Sequence, residues 1–122
     1  MKIIGNDSFV EISFGVWEGM LRSDVEEKYS EQYYNFWNEP VKYVPNEGES
    51  FDELKDRVKV GLNNILEKYD NCNVLIVTHA VTKKIIMSYF ENRHISNIWD
   101  EPYIDNCSLS IIEIDKGIGN IV

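Results

Sequence analysis

An α/β fold with a mostly parallel sheet flanked by helices is predicted by three features of the sequence. Val74-Leu75-Ile76-Val77 is an uninterrupted apolar run rich in β-branched residues, the pattern of a strand buried on both faces. Helical periodicity precedes it between Ser50 and Leu66 and resumes after it between Val81 and Tyr89. Cys107 to Ile114 then alternates as a last strand. Helix, buried strand, helix and strand in that order describe an α/β layer arrangement.

The elements follow from local chemistry. Phe9 to Phe14 is a short apolar alternation, either a strand or an extended loop. Met20 to Trp37 carries Leu21, Val25, Tyr29, Tyr33 and Phe36 at helical spacing, with Ser23 and Asp24 as N-cap residues. Pro40 to Gly48 holds two prolines and a glycine and reads as a loop. Ser50-Phe51-Asp52-Glu53 fits a capping box, because Glu53 can reach back to the cap. Leu54, Val58, Leu62, Ile65 and Leu66 form the buried stripe of the helix it opens, and Asp70-Asn71 ends that helix. Val74–Val77 is then the central parallel strand. His79 stands at its carboxyl end, and a helix begins near Val81.

Size and charge narrow the function. The chain has 122 residues, 43% of them hydrophobic, with five Phe, three Trp and seven Tyr. This supports one core, a single domain over 1–122. Twelve basic and twenty-one acidic side chains leave a net charge of −9, which argues against nucleic-acid binding, since phosphate contacts need clustered Lys and Arg. No stretch approaches a membrane span, and Met1 to Val10 shows no signal-peptide pattern. Cys72 and Cys107 are far apart with no CxxC, and two histidines complete the inventory, so no metal site is expected. Reduced thiols and a cytoplasmic location are the matching expectation.

His79 carries the strongest chemical signal. The carboxyl ends of strands in α/β sheets are where ligands bind. The backbone N–H groups of Ala80, Val81 and Thr82 would begin a helix beside the imidazole and favour an anion there. The plain alternative is a histidine that satisfies its own hydrogen bonds at a strand end. Glu11, in Val10-Glu11-Ile12, would by default be a solvated carboxylate. It gains interest from Phe14-Gly15-Val16-Trp17-Glu18-Gly19, whose two glycines suggest a tight, specific loop. A carboxylic acid near a leaving oxygen could protonate it. Gly48 and Ser50 need no role beyond a turn and a helix cap.

Taken in order, Glu11 with Phe14–Gly19, Gly48-Glu49-Ser50 with Arg57, Val74 to Ala80 ending in Thr78-His79-Ala80, and Asn106-Cys107-Ser108 resemble the histidine phosphatase superfamily. The resemblance implies a partial phosphoglycerate-mutase-like sandwich and no cofactor. It also implies a mechanism, in which a histidine in an Arg-His-Gly motif becomes phosphorylated. Two arginines and a second histidine clamp the phosphoryl oxygens, and a carboxylic acid protonates the leaving alcohol. By position, Glu11 matches the acid and His79 the second histidine, with His79 and Ala80 as the phosphate-binding pair. Ala80 replaces the usual glycine, and Lys84 stands where an arginine is common.

The Arg-His-Gly motif and its strand normally precede the position of Glu11, and only ten residues do so in this chain. Arg93-His94 is followed by Ile95 and lies after a helix, so it reads as coincidence. The expectation is therefore an N-terminally incomplete domain whose parental activity is phosphomonoester hydrolysis but which is inactive by itself. Trp17-Glu18-Gly19 resembles phosphatases more than mutases. The alternative is a non-catalytic phosphate-binding or protein-interaction module, and a truncated reading frame without function is a third. The expected partner is a small phosphorylated metabolite, bound weakly or not at all. Homo-oligomers could form through the sheet edge left uncovered.

Overall fold

The computed structural model describes all residues, Met1–Val122. Four helices and one hairpin make up the regular structure. They are α1 (Arg22–Lys28), α2 (Ser30–Asn38), α3 (Phe51–Lys68), α4 (Ala80–Glu91), β1 (Ile112–Asp115) and β2 (Ile118–Ile121). Short 3₁₀ turns cover Asp7–Phe9, Gly15–Trp17, Pro40–Lys42 and Ile95–Asn97. No helix is long and apolar enough to cross a membrane.

The longest helix, α3, starts as its sequence dictates. Ser50 Oγ accepts from Glu53 N at 3.1 Å, and Ser50 N donates back to Glu53 Oε1 at 3.3 Å. This reciprocal pair satisfies two of the donors that a helix start leaves free. Leu54, Val58 and Leu62 line its buried face against Val81, Ile85 and Ile86 of α4. Gly61 allows the close approach of the Asp7–Phe9 turn, since a Cβ there would lie 2.5 Å from Ser8 Cβ. The end of α4 is set by Asn92, which takes a left-handed conformation at φ 53°.

Two expectations change. The single helix over Met20–Trp37 is broken at Tyr29, whose φ of −123° and ψ of 46° separate α1 from α2. Neither Ser23 nor Asp24 caps it. Leu21 precedes the first helical residue and makes no side-chain cap bond. Tyr29, at the break, and Tyr33 of α2 both lie against Trp17, each with ring centroids at 6.5 Å.

The second correction concerns the sheet. Val74–Val77 is not a central parallel strand, and no backbone group from Asn73 to Thr78 bonds to another backbone group. Val74, Leu75 and Val77 are 44%, 65% and 84% exposed, and only Ile76 packs on the core. The one sheet is the antiparallel β1–β2 hairpin, with Asp115 opposite Ile118 across the Lys116-Gly117 turn. Its two turn residues both have positive φ, 51° and 78°, as the right-handed twist of a two-residue hairpin requires. Within the predicted strand Cys107–Ile114, pairing begins only at Ile112. Four apolar residues record a tendency to be covered. A parallel strand also needs a neighbour paired to it about 4.8 Å away, and no other segment of the chain pairs with this one.

The core is aromatic at one end. Phe36 sits among Phe14, Trp17, Trp37, Tyr43, Phe51 and Trp99, with centroids between 4.9 and 6.1 Å. Trp99 Nε1 donates to Phe36 O at 2.6 Å, which satisfies the one polar atom of that indole. Tyr43 is the exception, because its hydroxyl is buried without a partner.

Burial raises the Tyr43 phenol from 10.0 to about 12. In the unfolded chain the group ionises near the lower value. The stability it contributes is therefore complete below pH 10 and is lost as pH climbs through the folded value. Tyr43→Phe is expected to raise stability near neutral pH by about 1 kcal/mol, since an unpartnered buried hydroxyl is removed. It should also flatten the decline between pH 10 and about 12. Urea denaturation of both proteins across that range measures the two effects.

An exposed apolar segment with unpaired backbone is a template for pairing with another chain. Sedimentation equilibrium of the 122-residue chain is expected to show mass rising with concentration, and Val77→Lys is expected to reduce the rise. A concentration-independent monomer would show that Asn73–Thr78 does not recruit a second copy.

Candidate functional site

Two glycine loops that follow Glu11 in the chain meet by backbone apposition. Gly15 has φ 59°, and a Cβ on it would lie 2.1 Å from Asn46 O. A Cβ on Gly48 would lie 2.6 Å from Ser13 O. With no side chains between them, the loops bond directly, Val16 N to Asn46 O at 3.1 Å and Glu49 N to Ser13 O at 2.8 Å. Gly48 therefore does more than turn the chain. Glu18 Oε1 accepts from Phe14 N at 3.1 Å and closes the first loop from inside, while Trp17 lies against Phe36 and Tyr43.

The segment just before these loops carries Glu11. Its carboxylate lies at the N-terminus of α4, where Oε2 accepts from Val81 N at 3.1 Å and Oε1 from Thr82 N at 2.9 Å. Thr82 Oγ1 adds a contact to Oε1 at 3.0 Å. Unpaired N–H groups and the helix dipole both favour a negative charge at that point. The anion that α4 attracts to these two amides is thus the protein's own glutamate. His79 is the residue immediately before α4, with an extended backbone at φ −103° and ψ 172°. Its ring is exposed and makes no hydrogen bond within the chain, and the N–H of Ala80 also has no protein partner. Glu11 and His79, 68 positions apart, are therefore brought to one helix end.

Other residues resolve differently. Arg93 pairs with Glu91 at 2.7 Å and donates to the carbonyls of Asp100 and Glu101. His94 accepts from Ser96 N at the start of a 3₁₀ turn. The dipeptide thus organises the loop after α4. Lys84 is buried with its Nζ donating to the carbonyls of Asp100 and Pro102. Burial, reinforced by Arg93, pushes its ammonium below the ordinary lysine range. It serves the same loop and does not reach the helix start. Periodicity gave no hint of Thr78, Thr82 or Glu49. The signal available was the i, i+4 pair of threonines that brackets His79.

Replacing Glu11 with Gln keeps the shape and removes the charge from the helix start. The expected cost is about 1–2 kcal/mol at neutral pH, the upper range for a charge at a partly buried helix terminus. Thermal denaturation at low and high salt checks it, and the cost should shrink little with salt because the carboxylate is half-buried.

The family model of the histidine phosphatase superfamily (branch 1) matches residues 1–122. Phosphoserine phosphatase 1 of Hydrogenobacter thermophilus is 31% identical over 116 residues, which cover 95% of this chain and 54% of that protein. The solved structure of YhfR from Bacillus stearothermophilus matches with a TM-score of 0.86 at 32% identity, over 91% of this chain and 55% of that one. The α-ribazole phosphatase of Shigella flexneri shares the fold, with a TM-score of 0.75 at 23% identity over 92% of this chain and 55% of that one. The chain spans about half the length of the relatives it matches. Its α/β architecture is phosphoglycerate-mutase-like, with the helices formed and the sheet reduced to one antiparallel hairpin. The match over every residue, and the solved relative at 32% identity, show that this chain belongs to the histidine phosphatase superfamily.

Proposed function

We propose that these residues supply one half of a phosphomonoesterase site. Glu11 is the proton donor and His79, with the Ala80 N–H, is the phosphoryl clamp. The observation that supports this reading is the meeting of the Glu11 carboxylate and His79 at the start of α4. The ring and the amide left without protein partners are the two donors that a phosphoryl oxygen would need. The relative named as a phosphoserine phosphatase favours hydrolysis as the reaction.

In the proposed reaction a histidine nitrogen of an Arg-His-Gly motif attacks phosphorus, and the bond from phosphorus to the leaving alcohol breaks. Glu11 must be in its protonated form at this step, and it gives its proton to that leaving oxygen. Water then attacks the phosphohistidine, Glu11 takes a proton from it, and inorganic phosphate leaves. His79 donates to the phosphoryl oxygens in both steps. The tripeptide does not occur in these 122 residues, so the nucleophile and its arginines would have to come from other sequence. The substrate is proposed to be a small phosphorylated metabolite.

The 122-residue chain by itself is therefore expected not to hydrolyse aryl phosphates. Loss of a covalent nucleophile costs on the order of 10⁴ to 10⁶ in rate. An assay of the purified chain beside His79→Ala tests this. Robust turnover that vanishes in the variant, with phosphate trapped on His79, would make His79 the nucleophile and overturn its role as the clamp. In a protein that also supplies the nucleophile, Glu11→Gln should slow alkyl phosphates by about 10² or more and nitrophenyl phosphate far less, because only the former need a proton on the leaving oxygen.

A further inference from the structure

We infer that Arg57 is the positioning residue for Glu11, an inference that rests on the proposed role of Glu11. Four successive carbonyls run through this segment, and each accepts from a side chain. Ser8 O accepts from Arg57 Nη1 at 2.9 Å, Phe9 O from Thr78 Oγ1 at 2.5 Å, Val10 O from Thr82 Oγ1 at 2.9 Å, and Glu11 O from Arg57 Nη2 at 3.1 Å. None of the four bonds to a backbone N–H. The segment that carries the acid is therefore held by three side chains in place of a sheet, and Arg57 holds both of its ends.

The guanidinium can do this because it is itself fixed. Its Nε and Nη2 donate to the two oxygens of Glu49 at 2.7 and 2.9 Å, a paired geometry that sets the rotation of its plane. Glu49 is tied in turn to the far side of Glu11, through Glu49 N to Ser13 O at 2.8 Å. The close packing that Gly61 allows between α3 and Ser8, one turn from Arg57, sets the depth of the segment independently. Arg57 thus grips residue 11 and, through Glu49, residue 13, and so fixes the backbone from which the Glu11 side chain extends. It meets Val81 and Thr82. Lysine could supply the charge there, but its single nitrogen cannot span two carbonyls and a carboxylate.

The test reads carboxylate placement and leaves turnover aside, so its failure is separable from failure of the phosphatase reading. Amide resonances of Val81 and Thr82 are compared at about pH 7 in ¹H–¹⁵N spectra of the 122-residue chain with and without Glu11→Gln, and the displacement between the two spectra, taken in each variant background, is the Glu11-dependent movement. In Arg57→Lys the Glu11-dependent movement is expected to fall by about half or more, while the spectrum stays dispersed. Glu49→Gln is expected to reduce it less. Leu62→Ala, a destabilising change further along α3, is expected to leave it intact. Native-sized movement in both Arg57→Lys and Glu49→Gln would overturn the inference, as would an equal loss in Leu62→Ala. If Arg57→Lys does not fold, Glu49→Gln decides by the same measure.

Discussion

The contact between the Glu11 carboxylate and the first amides of α4 is the constraint to which the site answers. It ties the segment before the glycine loops to the helix that follows His79, across some seventy residues of chain. Each partner answers a need of the other. α4 begins without a side-chain cap, so its first amides require acceptors. Glu11 sits beside a buried residue, Ile12, where a carboxylate without donors would be costly. One arrangement meets both demands and leaves the His79 ring free beside it. A carboxylate held in this way is already oriented.

The aromatic end of the core gives that arrangement its rigidity. Phe36 joins α2 to Phe14 and Trp17 of the first glycine loop, to Phe51 at the start of α3 and to Trp99 after α4. The capping box that starts α3 thereby places Arg57 about two turns along a helix whose beginning is anchored in this cluster. Polar placement and apolar packing are coupled through that one helix. Loosening the aromatic end would shift the fork that holds the Glu11 backbone.

The apolar Val74–Val77 run shows the other side of the fold. Its residues have the composition of a doubly buried strand, and most of them face solvent. The segment has the character of a covered strand, with no strand paired to it. His79 follows it all the same. The helix start, fixed by Glu11 and by the packing of Val81 and Ile85 on α3, holds the histidine in position without a sheet behind it.

Local chemistry in the sequence determined the elements whose cause is local. Ser50 with Glu53 fixed the start of α3, the two glycines of Phe14–Gly19 marked a tight loop, and resumed periodicity placed a helix after His79. The same motifs in order were enough for the family. Tertiary structure alone decided the rest. The break at Tyr29 left no trace in the helical spacing of the apolar residues on either side of it. The absence of pairing at Val74–Val77 follows from the lack of a neighbour, and a strand's neighbour is not written in the strand. Two of the three amides expected to hold an external anion were taken by Glu11, whose distance of some seventy residues no window of sequence could bridge. Helices and turns are closed by bonds within a few residues, whereas sheets and sites are closed by bonds between distant ones. Only the folded chain reveals which distant groups meet.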